Sequence, residues 1–180
     1  KVFDAAKKSE DFYLGEYVER VNENYYPAYV PWHTLAFAKL YVATKDEKYA
    51  EAIFTLTDKL LEMQDTKKFV GRFYNEATPE YGTPHASTDA VYTEGLATAY
   101  EVAHLVGKTD KEVTYKDALV RAVYNLETLQ FKPSPFRIFD NDVVGKKLTG
   151  GIMTNVCSRW TRIDSTAHTI DALTNILRVF

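Results

Sequence analysis

The chain alternates two kinds of helix-forming segment, and that alternation restricts its fold more than any other feature. Trp32–Thr44 and Ser87–Val106 are apolar or small on nearly every side, so they read as helices enclosed by neighbours. The segments after them differ. From about Asp46 to Gln64, Tyr49, Ala52, Ile53, Leu56, Leu60 and Met63 follow a 3.6-residue period, and Lys48, Glu51, Asp58, Lys59 and Glu62 take the other face. After Gly107, a plausible C-cap, the capping-box sequence Thr109–Glu112 opens a second amphipathic helix that carries Tyr115, Ala118, Leu119, Ala122, Leu126 and Leu129.

The two amphipathic segments are similar in their letters. YAEAIFTLTDKLLEMQ, from Tyr49, aligns without gaps on YKDALVRAVYNLETLQ, from Tyr115, which lies 66 positions later. The preceding helices align through Leu35-Ala36 and Leu96-Ala97, 61 positions apart. The repeating unit is therefore a helical hairpin plus a loop, with a period of about 60 residues. A last helix is expected from Asp164 to Phe180, with Ala167, Ile170, Leu173, Ile176 and Leu177 inward, and a weaker one from Phe3 to Leu14. The fold class expected is all-α, with buried inner helices and amphipathic outer ones.

Composition limits the possible partners. At 180 residues the chain is long enough for one domain with a core. A net charge of −3 with no basic run excludes an electrostatic nucleic-acid footprint. No apolar run approaches the ~20 residues of a membrane span. Cys157 is alone, so no internal disulfide and no thiolate metal cluster can form. The first residue is Lys1, as expected of a processed form or a piece of a longer protein, and the compartment stays open between cytoplasmic and exported. Thirteen Tyr and ten Phe against two Trp suit the lining of a wet cleft.

Inner and outer helices in alternation resemble the α/α-toroid class, which includes six-hairpin glycosidases, polysaccharide lyases, sugar epimerases and terpenoid cyclases. The likeness covers roughly Trp32 to Phe180. The segment GGIMTNVCSRWTRIDSTAHTIDAL resembles the loop-and-closing-helix ends of such domains, with Arg162, Asp164 and His168 as its marked residues. A closed six-hairpin ring needs about twice this length, so the resemblance implies an incomplete or half toroid, open, or completed by a dimer partner or a further segment. It implies a site where the inner helices begin and a polysaccharide or oligosaccharide ligand.

Three of the four histidines fall at such helix starts. His33, His85 and His168 each follow a long loop rich in polar and aromatic residues, and His104 sits instead at a helix C-terminus. Helix N-termini present free N–H groups and partial positive charge to a cavity, which favours anionic or hydroxyl-rich ligands. His85 with Asp89, and Asp164 with His168, have i,i+4 spacing, which puts carboxylate and imidazole on one face as a general acid or base requires. Glu94 is an acid inside an otherwise apolar helix and a candidate proton donor. Catalytic candidates are thus Asp89, Asp164, His85, His168 and Glu94. Substrate-binding candidates are His33, Trp32, Tyr81, Arg159, Trp160 and Arg162. The readings are a carbohydrate-active enzyme without a cofactor, a non-catalytic glycan- or protein-binding scaffold, or a metal enzyme using His85, Asp89, Asp164 and His168. All rest on the helix starts near 32, 87 and 164 lying together.

Overall fold

A computed structural model describes residues 1–74, 85–132, 147–156 and 160–180. Its elements are helical: α1 (Val2–Tyr13), α2 (Val30–Thr44), α3 (Glu47–Leu61), α4 (Ala86–Val106), α5 (Thr109–Thr128) and α6 (Ile163–Val179). A π-helical turn at Leu14–Val18 and a 3-10 turn at Pro27–Tyr29 join α1 to α2. Among the described residues β-pairing is limited to isolated bridges: Gln64 with Phe73, Gln130 with Ile152, and Met153 with Thr161. None of the described helices is long and apolar enough to cross a membrane.

Helix α4 is the hub. It packs against α2, α3, α5 and α6, and Ala90, Leu96, Ala97, Ala99, Val102 and Ala103 are at most 1% exposed. Helices α2, α4 and α6 run parallel. Glu94 of α4 meets His168 near the start of α6, and Tyr100 and Glu101 meet Phe180 and Arg178 near its end. Pro31 of α2 lies against Gly95, while Val42 borders the same groove as Leu105.

The letter repeat is a repeat of contacts. Tyr49 and Tyr115, both fully buried, each donate their hydroxyl to an aspartate on an earlier helix: Tyr49 to Asp11 of α1 at 2.7 Å and Tyr115 to Asp58 of α3 at 2.9 Å. A lysine completes each clamp, Lys48 on Asp11 and Lys111 on Asp58. The two aligned glutamines, Gln64 and Gln130, both make a β-bridge to the stretch that follows. Helix α1 thus stands to α3 as α3 stands to α5.

Two expectations are corrected. Helix α2 is not enclosed all round: it buries Val30, Pro31, Thr34, Phe37 and Leu40 but exposes Trp32 and Val42. In α6 the face against the fold is Ser165, Thr169 and Ala172, whereas Ile170 is 57% and Leu177 81% exposed. Small side chains permit close approach to α4, and the longer apolar ones, with Ile163, form an outward stripe at seven-residue spacing.

Two glycines mark where backbones touch. A Cβ on Gly95 would lie 2.8 Å from Pro31 Cα, which sets how near α2 comes to α4. Gly71 has φ +92° and its Cβ would overlap the Arg121 carbonyl oxygen, so the 65–74 loop rests directly on α5. Gly107 has positive φ with open space around it. In urea unfolding, Gly71→Ala is expected to cost more than about 3 kcal/mol and Gly107→Ala about 1 kcal/mol. Gly95→Ala should lose about 1 kcal/mol net, because overlap outweighs the gain in helix propensity. Equal stability of the Gly71 and Gly107 variants would contradict this packing.

Candidate functional site

The start of α4 opens into a cavity of about 660 Å³, walled by the 65–74 loop, the last turn of α5 and Thr154–Val156. Each wall has a local cause. The Asp65 carboxylate accepts the backbone N–H groups of Lys67, Lys68 and Phe69, which turns the loop. The Gln64 side chain donates to the Ala118 carbonyl at 2.9 Å and accepts from Arg121 Nε at 3.0 Å, fixing the loop root to α5. The bridges at Gln130–Ile152 and Met153–Thr161 place residues 151–156, and the Ala86 N–H donates to the Thr154 carbonyl at 2.8 Å.

Asp89, in the first turn of α4, lies in the cavity wall and is 3% exposed. The Phe73 N–H donates to its Oδ1 and Asn125 Nδ2 to its Oδ2, both at 2.9 Å. Burial pushes its pKa up to about 6, against the pull of those two donors and of the Arg72 charge. A carboxyl poised there can give or take a proton near neutral pH. The expected carboxylate–imidazole pair with His85 is not made, because both Asp89 oxygens already have other donors.

His85 is the N-cap of α4. Its Nδ1 accepts the Ser87 N–H at 3.2 Å and lies 2.7 Å from Ser87 Oγ. The neutral ring therefore carries its proton on Nε2. Burial lowers its pKa, with Arg162 adding to the effect and Asp164 opposing it. At neutral pH His85 is a neutral ring with one N–H to offer, suited to holding a ligand more than to taking a proton.

The remaining candidates lie in other settings. Asp164 is bound by Arg162 through two hydrogen bonds of 2.9 and 2.7 Å, and that contact keeps it ionised well into acid. This pair sits near enough to His85 to shift its titration. His168 faces Glu94 across the α4–α6 seam, with Nδ1 3.5 Å from Oε2, and Trp32 meets the imidazole edge-on. No hydrogen bond is aligned between those two buried atoms. Burial, then repulsion from Asp171, raises the Glu94 pKa.

His33 stands apart, its Nδ1 2.9 Å from Glu10 and its ring among Tyr13, Tyr17 and Phe37. The reason is stagger. Pro31, the second residue of α2, faces Gly95, the tenth of α4, so α2 begins about 12 Å further along the bundle at 1.5 Å per residue. The starts of α4 and α6 lie together, and that of α2 does not join them. Trp160 is 80% exposed, and its carbonyl accepts the Thr154 N–H at 2.9 Å. Tyr81 and Arg159 lie outside the described residues. His104, at the end of α4, sets its Nδ1 against the Glu112 carboxylate.

The metal set His85, Asp89, Asp164 and His168 is not assembled, since Asp89 and Asp164 spend their oxygens on other partners. Among the described residues the cluster with close ligand atoms is Glu94, His168 and Asp171, all within 4.8 Å of one another. Asn125, Lys68 and Asp171 carry no motif that marks them as site residues. Asn125 had a readable signal: a polar residue on the buried stripe of α5, one turn beyond Ala122. No protein-family model matches the chain, and no curated protein sequence matches it.

The raised pKa of Asp89 has a thermodynamic consequence. The folded state holds this proton more tightly than an unfolded chain, whose aspartate titrates near 3.8. Its contribution to stability is therefore complete below the unfolded pKa and is lost as pH rises toward 6. At ~1.4 kcal/mol per pKa unit the loss is about 3 kcal/mol. Asp89→Asn removes the titration, and the Asn125 amide can turn to suit it. Urea melts at pH 4 and pH 7 should show wild type losing up to about 3 kcal/mol relative to the variant. Parallel pH profiles would refute the assignment.

Proposed function

We propose that the cavity at the start of α4 is the site of a carbohydrate-active enzyme of the glycoside hydrolase, polysaccharide lyase or sugar epimerase type. The observation that carries this reading is a buried carboxyl with a pKa near 6 in the wall of a cavity big enough for a sugar unit or two. Asp89 transfers the proton, and the His85 Nε2–H, Asn125 and Asn155 offer polar contacts. Tyr124, which borders the cavity at 58% exposure, gives a flat face for a sugar ring. Arg162 and Asp164 form a fixed ion pair within electrostatic range of His85.

The α/α-toroid architecture belongs to the same proposal. Parallel α2, α4 and α6 form an inner layer, and α3 and α5 an outer one, as expected of an open part of such a ring. Further hairpins, or a second copy, would meet the Ile163, Ile170 and Leu177 stripe. A non-catalytic glycan-binding scaffold is the second reading, and one observation favours it: both Asp89 oxygens already accept hydrogen bonds and tie three segments together.

Turnover and binding on a panel of neutral and acidic polysaccharides separate these readings. Wild type is expected to convert at least one, and Asp89→Asn to lose about 100-fold or more in kcat with binding kept. Binding without turnover by wild type would leave the scaffold. Absence of binding to every glycan would end both readings.

A further inference from the structure

Among the described residues, Arg72 makes no ion pair, although its charge is felt by Asp65 and Asp89. Its guanidinium carbon lies 4.7 Å from the centre of the Phe69 ring and 5.2 Å from that of Tyr74, so two aromatic faces hold the group in place. Its Nε is completely buried and has no hydrogen-bond partner. No described carboxylate forms an ion pair with it. Asp65, the acid on the same loop, spends its oxygens on three backbone N–H groups, and the nearby Asp89 on Phe73 and Asn125.

A buried donor left unmade costs free energy, and a fixed guanidinium is shaped to grip a carboxylate through two parallel hydrogen bonds. Arg72 borders the cavity together with Lys68 and Asp89. The other arginine near this entrance, Arg162, already carries Asp164 in that two-bond manner. One wall of the cavity therefore offers an anion site that none of the described side chains fills.

We propose that this cavity takes an acidic sugar, a uronate, with its carboxylate on the Arg72 guanidinium and Lys68 supplying a second positive charge at the mouth. This rests on the carbohydrate reading above and narrows it. Tyr124 faces the sugar's carbon surface, and the Asn125 amide meets a hydroxyl. The bound carboxylate lies in the same cavity as Asp89, so acid binding and proton transfer fall within one ligand.

Calorimetric titration of the whole chain with three oligosaccharides of equal length tests this: one uronate-containing, one neutral and one neutral but sulfated. The uronide is expected to bind tightest, with affinity falling as NaCl is raised. Arg72→Gln should weaken uronide binding about 10- to 100-fold and leave the neutral sugar nearly unchanged. Arg72→Lys, which keeps the charge and loses the fork, should fall between. Lys68→Gln, at an exposed position that folding does not need, should cost a smaller, salt-sensitive factor of about 2 to 5. Equal affinity for uronide and neutral sugar, unmoved by salt and by Lys68→Gln, would overturn the acidic-sugar inference and keep the carbohydrate reading. Preference for the sulfated ligand would overturn the carboxylate assignment. No binding to any of the three would overturn both inferences.

Discussion

One carboxyl group, taken out of water, joins the parts on which the site depends. Asp89 belongs to α4, its Oδ1 takes the N–H of Phe73 from the 65–74 loop, and its Oδ2 takes the amide of Asn125 from α5. Removing a carboxylate from water is costly unless donors replace the lost solvent. Here two neutral donors replace it in part, and the group answers by holding its proton to a higher pH. The contact that fixes the cavity's walls is thus also the source of its acid–base character. Stability and chemistry compete at this residue, as they do where a fold keeps an ionisable group in a dry place.

The parallel inner helices need a second constraint. Gly95 is the residue that lets Pro31 come within contact of the α4 backbone, and this contact sets α2 back along the bundle. A bulkier residue there would push α2 away from the hub. The stagger separates His33 from the α4–α6 entrance and gives it a setting of its own, against Glu10 and a group of tyrosines that the π-helical turn brings together. An imidazole that already has a carboxylate partner and ring neighbours is accounted for by packing alone.

The helices and the hairpin repeat were legible in the sequence because periodicity reports them directly. Tyr49 and Tyr115 even proved equivalent in their hydrogen bonds, which letter similarity alone does not require. What periodicity cannot give is which side of an amphipathic stripe meets a neighbour. In α6, Ile170 and Leu177 looked like core, but the small face of Ser165, Thr169 and Ala172 faces the fold. Spacing had a similar limit at the site. His85 and Asp89, and Asp164 and His168, do share faces at i,i+4, yet His85, Asp89 and Asp164 bond other groups, Ser87, Phe73 with Asn125, and Arg162, and His168 faces Glu94 without an aligned hydrogen bond. Local spacing brings groups within reach, and competition among all nearby donors decides the pairing.

That competition explains why Arg72 stands out. Among the described residues several charges are matched by opposite ones: Asp11 by Lys7 and Lys48, Asp58 by Lys111, Asp164 by Arg162. Such matching is inexpensive at a surface, where long side chains reach one another through water. Arg72 is different, because its Nε is cut off from water and its guanidinium is held between rings. Flexible lysines can find solvent when a partner is missing, but a clamped guanidinium cannot turn away. An acidic ligand would set an opposite charge beside a guanidinium that makes no ion pair among the described residues and that two rings already hold in place.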